Sequence, residues 1–308
     1  MTTTHNSPKR RRKSTGQPGI FVSGARAHQL CLFDRKNETS PRTLITRLAR
    51  SYFSAKSNTG VQFVLGFRPE LWRQVLPRDA PADIHGYDED IRGRRGLNFP
   101  GTQHDAVLWV LGERPDLVFD FAMTTVRASR DAARLVEATQ GWSYHQNRDL
   151  IDFVDGTENP SSREIPDVTL IPPHRRGTGG TVLLVQKWRH KSDMWRDLPT
   201  GDQEKVIGRT KSDDRELTPL PVSAHVSRTN QETFGKILRR NFPYGTVLDH
   251  GTMFVGFCAE QAVLERMLRN MLGESDGIPD ALTHYSRPKT GGYYFVPPPG
   301  ALAKILRR

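Results

Sequence analysis

The chain has 308 residues, 36% hydrophobic and 26% charged, and a formal net charge of +11. That length suits one large domain or two ordinary ones, and the composition excludes a disordered chain. No apolar run approaches the roughly 18 residues of a membrane span; Ala106 to Leu111 is typical of the longest. The two cysteines, Cys31 and Cys258, sit in no CxxC pair. This argues against a disulfide framework and a thiolate metal site, and a reducing cytoplasm is the expected location.

The first sixteen residues contain five Lys/Arg, Lys9 to Lys13, and no acid. We read residues 1–16 as a disordered, solubilising basic tail, with a polyanion contact or a targeting role as alternatives. An export signal needs an apolar stretch next, and none follows. Nucleic acid is not an expected partner, because no aromatic-interleaved basic motif supports it.

From Gln17 the pattern becomes globular. Val61 to Phe67 reads as a strand ended by Pro69, Arg78 to Pro100 as a long loop, and His104 to Leu111 as a second strand. Pro115 opens a helix with Phe119, Ala122, Met123 and Val126 near helical spacing. Trp142 to Arg148 is loop-like, and a boundary is expected near residue 145. Thr181 to Gln186 is a β-type run after a Gly-rich turn, and Gly201 to Ile207 begins a short helix. Gly251 to Cys258 is an apolar strand. Glu260 to Leu272 is amphipathic, with Val263, Leu264, Met267, Leu268 and Met271 on one face. Gly291 to Val296 closes the series before a Pro297–Pro299 stop. Two halves of similar strand–helix character suggest an α+β fold.

Three positions carry possible chemistry. Asp155 follows the apolar pair Phe153-Val154 and precedes Gly156, so it is a turn cap or a reagent. His225 stands in the small-residue stretch Pro221 to Asn230, and Arg239 in Ile237 to Thr246. His174, His190, His250 and His284 have no partner spacing and read as surface or packing residues. An acid/base, a metal-ligand candidate and a fixed cation are a usable set.

These stretches resemble the dye-decolorizing peroxidases, and within them the compact bacterial B-type subgroup, over about residues 17 to 300. The resemblance rests on FVDGTENP (Phe153 to Pro160), VIGRTK (Val206 to Lys211), AHVSR (Ala224 to Arg228), LRRNFPYGT (Leu238 to Thr246) and TGGYYFVP (Thr290 to Pro297), in that order. The family signature GxxDG has Asp152 in place of its first Gly. Asp is among the better substitutes in a left-handed backbone position, and Asp155 and Gly156 are intact.

The resemblance implies two ferredoxin-like domains with antiparallel sheets, residues 17–145 and 146–308, the second holding one haem b. It implies His225 as the iron ligand and Asp155 and Arg239 as the distal acid/base and cation. Asn241 is implied as a further distal polar group, or is a turn residue ahead of Pro243. Arg209 would pair with a haem propionate, or is solvated surface; Gly156 and Thr157 would run along the haem edge. Glu260 stands where family members often carry the carboxylate behind the ligand; the alternative is that it opens the following helix. Arg240 receives no role.

Hydrogen peroxide and small organic electron donors are the implied partners, with Trp142, Trp188, Trp195, Tyr144 and Tyr285 as relay or scaffold residues. A homo-oligomer is implied too. Encapsulin docking is not expected, because Pro297 to Arg308 leaves little room for a docking peptide. The rival function is a haem or porphyrin carrier, or a deferrochelatase-like protein, with weak peroxidase activity.

Overall fold

The computed structural model describes residues 16–54, 60–145 and 147–307; the basic run Lys9 to Lys13 lies outside them. The first half runs β1 (Ala27–Arg35), α1 (Pro41–Ser54), β2 (Val61–Phe67), α2 (Pro69–Val75), a short hairpin of β3 (Ile91–Arg92) and β4 (Asn98–Phe99), β5 (Ala106–Gly112), α3 (Pro115–Ser129) and β6 (Ala133–Trp142). The second runs α4 (Ile165–Thr169), β7 (Thr181–His190), α5 (Ser192–Arg196), α6 (Thr200–Ile207), α7 (His225–Arg228) and α8 (Gln231–Phe234). It continues with β8 (Leu238–Arg239), β9 (Phe242–Gly245), β10 (His250–Cys258), α9 (Gln261–Met271), β11 (Ser286–Pro288), β12 (Gly292–Val296) and α10 (Pro299–Leu306).

The first half orders its strands β6-β1-β5-β2 and the second β12-β7-β10-β9, each pair antiparallel. In chain terms both orders are the same, fourth, first, third, second, which is the ferredoxin-like pattern. The α+β fold read from sequence is therefore present, built twice. The halves join edge to edge, β12 to β2 at Phe295–Phe67 and β6 to β9 at Gly141–Tyr244. With β7 paired to β10 inside the second half, the strands β7-β12-β2-β5-β1-β6-β9-β10 close on themselves as a barrel, which leaves those strands no open edge.

Side chains alternate between the two faces of each strand. Leu30 and Leu32, Val107 and Trp109, Leu183 and Val185, Met253 and Val255, and Tyr294 and Val296 share the core inside the barrel. Their neighbours, including Cys31 and Phe33, Leu108 and Val110, Leu184, and Tyr293 and Phe295, pack outward under the helices. Both faces are thus covered. This is why β1 is buried at seven successive residues, Ala27 to Phe33, and shows no polar alternation that would mark it in the sequence. Neither β1 nor β6, the central and edge strands of the first half, was legible beforehand.

Two expectations shift. The helix expected after Pro115 forms as α3, but it buries Val118, Ala122, Thr125 and Ser129, and leaves Phe119 56% exposed. The helix is rotated because Thr125 and Ser129 bury their hydroxyls by bonding back to the carbonyls of Phe121 and Thr125. The Pro297–Pro299 run ends β12 but also starts α10, since Pro299 lies in the first turn, where a missing N–H costs nothing.

Candidate active site

The segment leaving β6 folds back as a tight turn. Asp149 N–H donates to the Phe153 carbonyl at 2.9 Å, and Asp152 N–H to the Asp149 carbonyl at 3.0 Å. Asp152 sits at φ +73°, so the family's Gly position is indeed left-handed here. Asp tolerates it, and its carboxylate lies 3.5 Å from Lys211 Nζ. Gly156 is at φ +83°, and a Cβ there would lie 2.6 Å from Asn159 Nδ2, so only glycine fits. Asn159 in turn clamps the backbone of Arg239, its Oδ1 accepting from Arg239 N–H at 2.7 Å and its Nδ2 donating to the Arg239 carbonyl at 3.0 Å. This clamp ties the Asp155 turn to β8.

The turn borders a cavity with about 1260 Å³ of atom-free space, mouth included. The cavity lies on the outer face of the barrel, as the strand parity of Leu184, Gln186, Trp188 and Phe254 shows. The apolar stripe of α9 forms its opposite covering: Leu264, Met267, Leu268 and Met271 line it. The amphipathic helix legible in the sequence thus turns its apolar face to a void as well as to the core. Asp155, Gly156, Thr157, Arg209, His225, Arg239 and Asn241 all line this one cavity.

His225 opens the single turn α7. Its Nδ1 lies 2.7 Å from Asp280 Oδ2, and the Asp280 side chain is fully buried. The other Asp280 oxygen accepts from Leu282 N–H at 2.9 Å. A carboxylate that already accepts from an amide leaves the imidazole Nδ1–H as donor, so Nε2 keeps its lone pair free toward the cavity. Glu260 does not provide this contact. Its carboxylate is paired with Arg175 at 2.7 Å on the surface, and it stands at the start of α9. The residue that backs His225 is Asp280, fifty-five positions along the chain, which no local spacing could have indicated.

Asp155 Oδ1 accepts from Asn241 Nδ2 at 3.1 Å, and Asn241 Oδ1 accepts from Val255 N–H at 3.2 Å. Burial pushes the Asp155 carboxyl above the ordinary carboxylate range, opposed by the nearby Arg239 guanidinium and the Asn241 amide. The Arg239 guanidinium has no acid partner among the described residues, and its Nε is buried without a hydrogen bond. Arg209 lines the cavity, donating to Glu158 at 3.1 Å and to the Asp214 carbonyl at 3.0 Å.

Three further polar residues escaped the sequence reading. Asp149, in the cavity wall, accepts from Ile151 and Phe153 N–H, and burial, then the charge of Asp155, pushes its carboxyl up to about 7. His190, read beforehand as surface or packing, is held by Ser286 and Thr252 hydroxyls at 2.8 and 3.0 Å. Burial lowers its pKa to about 4, so it is neutral. Gln186, on the same strand and also lining the cavity, leaves Nε2 without a partner among the described residues. Of the aromatic residues, Trp195 packs edge-on to Phe153 and Tyr285 at 6.1 and 5.4 Å, Trp188 lines the cavity, Tyr144 stacks on His145 at 3.8 Å, and Trp142 is 38% exposed.

A largely apolar cavity with one free imidazole lone pair, the Arg239 guanidinium without an ion-pair partner among the described residues, and a buried acid fits an iron porphyrin with anionic edge groups. Comparison with known proteins agrees. The Dyp-type peroxidase C-terminal profile matches residues 146–301. A dye-decolorizing peroxidase of Mycobacterium tuberculosis is 34% identical over 82% of this chain and 78% of its own length. One of Rhodococcus erythropolis is 32% identical over 85% and 81%. The crystal structure of a dye-decolorizing peroxidase from Bacteroides thetaiotaomicron superposes with a TM-score of 0.87 at 26% identity, covering 94% of this chain and 98% of that one. DyPB from Rhodococcus jostii RHA1 superposes with 0.85 at 29% identity, covering 92% and 96%. The fold and its relatives define an oxidoreductase of the haem peroxidase class. The chain belongs to the Dyp-type peroxidase family. Among the described residues, no helix is long and apolar enough to cross a membrane.

Proposed function

We propose that the chain reduces hydrogen peroxide at a haem b bound in this cavity, one per chain, and oxidises dyes, phenols or similar one-electron donors. The observation that carries the reading is the convergence of His225, Asp155 and Arg239 on one cavity walled by α9. A solved variant of the Rhodococcus jostii relative is described as a complex with heme. His225 Nε2 would hold the iron, with Asp280 fixing the ring and strengthening its donation. Arg209, Gly156 and Thr157 would bound the anionic edge. The haem would be held mainly by residues from 146 onward, the part matched by the family profile.

When bound, the haem supplies the two-electron reduction of peroxide and returns to its resting state by two one-electron donations. The protein's part is proton handling and charge. Asp155, raised by burial yet held by Asn241, can take a proton from one peroxide oxygen and return it to the other. Arg239, permanently charged and in no ion pair among the described residues, can stabilise negative charge developing on the departing oxygen. The apolar α9 stripe excludes water from the slot. Trp195 and Tyr285, packed in series behind Phe153, are the relay pair for donors too large to enter.

Relatives named deferrochelatase are 24% identical over 61% of this chain, but a carrier needs no paired acid and cation, so the peroxidase reading is preferred. The test is rapid mixing of haem-loaded protein with one equivalent of peroxide. A fast absorbance change, reversed by a phenolic or dye donor, is expected. A haem spectrum that ignores peroxide would overturn the reading in favour of a carrier. Cytoplasmic location and self-association belong to the same reading, the latter checked by sedimentation.

A further inference from the structure

Arg240 is the residue of the LRRNFPYGT stretch that the catalytic reading leaves unused. Strand parity places it. Leu238, Phe242 and Tyr244 face the interior of the barrel, so Arg240, two residues from Leu238 and two from Phe242, points inward, while Arg239 and Asn241 point to the haem cavity. A second chamber opens there, with about 740 Å³ of atom-free space including its mouth. Its walls include His28 of β1, Trp109 of β5, Ser143 and Tyr144 after β6, and Arg240. Asp155, Gly156, Arg239 and Asn241 line both this chamber and the haem cavity. They are the partition between the two.

The chamber is short of negative charge. Three guanidinium-bearing residues line it, Arg148, Arg239 and Arg240, against a single carboxylate, Asp155. Arg240 is half-buried and belongs to no ion pair among the described residues. Its Nε is buried without a partner, and its one side-chain hydrogen bond among the described residues is a long one, Nη1 to the Arg239 carbonyl at 3.5 Å. Two arginines elsewhere that are at least as buried are compensated: Arg228 has Asp276 at 2.7 Å and Arg209 has Glu158 at 3.1 Å. Burial pulls the Arg240 guanidinium below its ordinary pKa, with nothing offsetting it. A buried, unpaired charge is costly, and proteins keep one where a partner arrives.

His28 does not compete for that partner. It is 7% exposed and stacks on Phe242 and Trp109 at 4.6 and 5.9 Å. Its Nε2 contacts the Ala25 carbonyl at 3.1 Å, while its Nδ1 is buried with no partner. Burial lowers its pKa to about 4, so it adds no charge. The rest of the lining is uncharged, with aliphatic, aromatic, amide and hydroxyl-bearing side chains.

We propose that the barrel-end chamber is a binding site for a small monovalent oxyanion of the carboxylate type, held by Arg240. The site stands on its own residues. Its consequence for catalysis rests on the reading above: an anion at Arg240 lies across the partition from Asp155, opposes ionisation of that carboxyl, and slows the peroxide step.

Thermal unfolding of the full chain, with and without haem, tests the site. Formate is titrated against gluconate, a much bulkier anion of equal charge, at matched ionic strength. Formate is expected to raise Tm saturably by roughly 2–5 °C over gluconate, equally with and without haem. The Arg240→Gln variant should lose that difference. Ser143→Phe, which fills the chamber from another wall and leaves Arg240 in place, should lose it too. No saturable difference in the parent protein, an undiminished difference in both variants, or a difference seen only with haem would overturn the proposal; the last would mean binding at iron. Because none of these readings uses peroxide, failure of the peroxidase reading would show separately, in the rapid-mixing experiment.

Discussion

Replacing Asp280 by Asn tests the structural logic of the iron site most directly. The Asp280 side chain is fully buried and serves two donors at once, His225 Nδ1 at 2.7 Å through Oδ2 and Leu282 N–H at 2.9 Å through Oδ1. Asparagine fits the same space but has one acceptor oxygen. If it keeps the Leu282 bond, its NH₂ meets the imidazole N–H, donor against donor; if it turns around, Leu282 loses its acceptor. A hydrogen bond to a charged group contributes about 1.5–3 kcal/mol. Loss of a carboxylate behind a metal-bound imidazole costs roughly 10–100-fold in metal affinity. The two figures agree through the tenfold-per-1.4 kcal/mol relation. Asp280→Asn should therefore release haem to an excess of scavenger about 10–100 times more readily, and raise the iron reduction potential because the ligand donates less. Glu260→Gln is the matched control, expected to change neither quantity, since Glu260 is tied to Arg175 at the surface. The reasoning is refuted if Asp280→Asn leaves both unchanged, or if Glu260→Gln produces the effect instead.

Three other outcomes are expected. His225→Ala should lose the ordinary haem spectrum; full retention of the spectrum and of peroxidase activity would defeat the ligand assignment. Arg239→Leu should keep haem but slow the peroxide step about 100-fold or more, the scale of losing one preorganised charge-stabilising donor; an unchanged single-turnover rate would move that role elsewhere. Asp149 supplies a pH signature. Its carboxyl is at about 7 in the folded chain against an ordinary 3.8, so the folded state binds the extra proton between those values and stability falls as pH rises through that window. Asp149→Asn keeps the oxygen that accepts from Ile151 and Phe153 but cannot ionise. Its stability relative to the parent should climb from pH 4 to pH 7 and then level, by an amount on the order of 4 kcal/mol at most. Urea unfolding at pH 5 and pH 8 measures this, and an equal difference at both pH values would show that Asp149 is not titrating there.

Much of this protein is written locally. The strands at 61–67, 181–190 and 250–258 and the helix after Glu260 follow from apolar runs and a helical stripe. The turn chemistry around Asp155 and the clustered motifs are contiguous, so residue type and short spacing were enough to nominate Asp155, His225 and Arg239. The left-handed position at Asp152 could be anticipated for the same reason, because backbone preference is a property of one residue and its neighbours. Closure was not local. Strand β1 was illegible because a barrel wall roofed by helices buries both its faces and removes the alternation that marks a strand; β6 was illegible for a different reason, being largely exposed, with Leu135 and Val136 among its exposed residues. The choice of Asp280 over Glu260 was not local either: both are carboxylates with plausible chain positions, and only the packing of the 271–282 turn against α7 brings one of them to His225. The opposite fates of Arg239 and Arg240 depend on which face of the 238–244 stretch looks into the barrel, and that parity exists only once the sheet has closed.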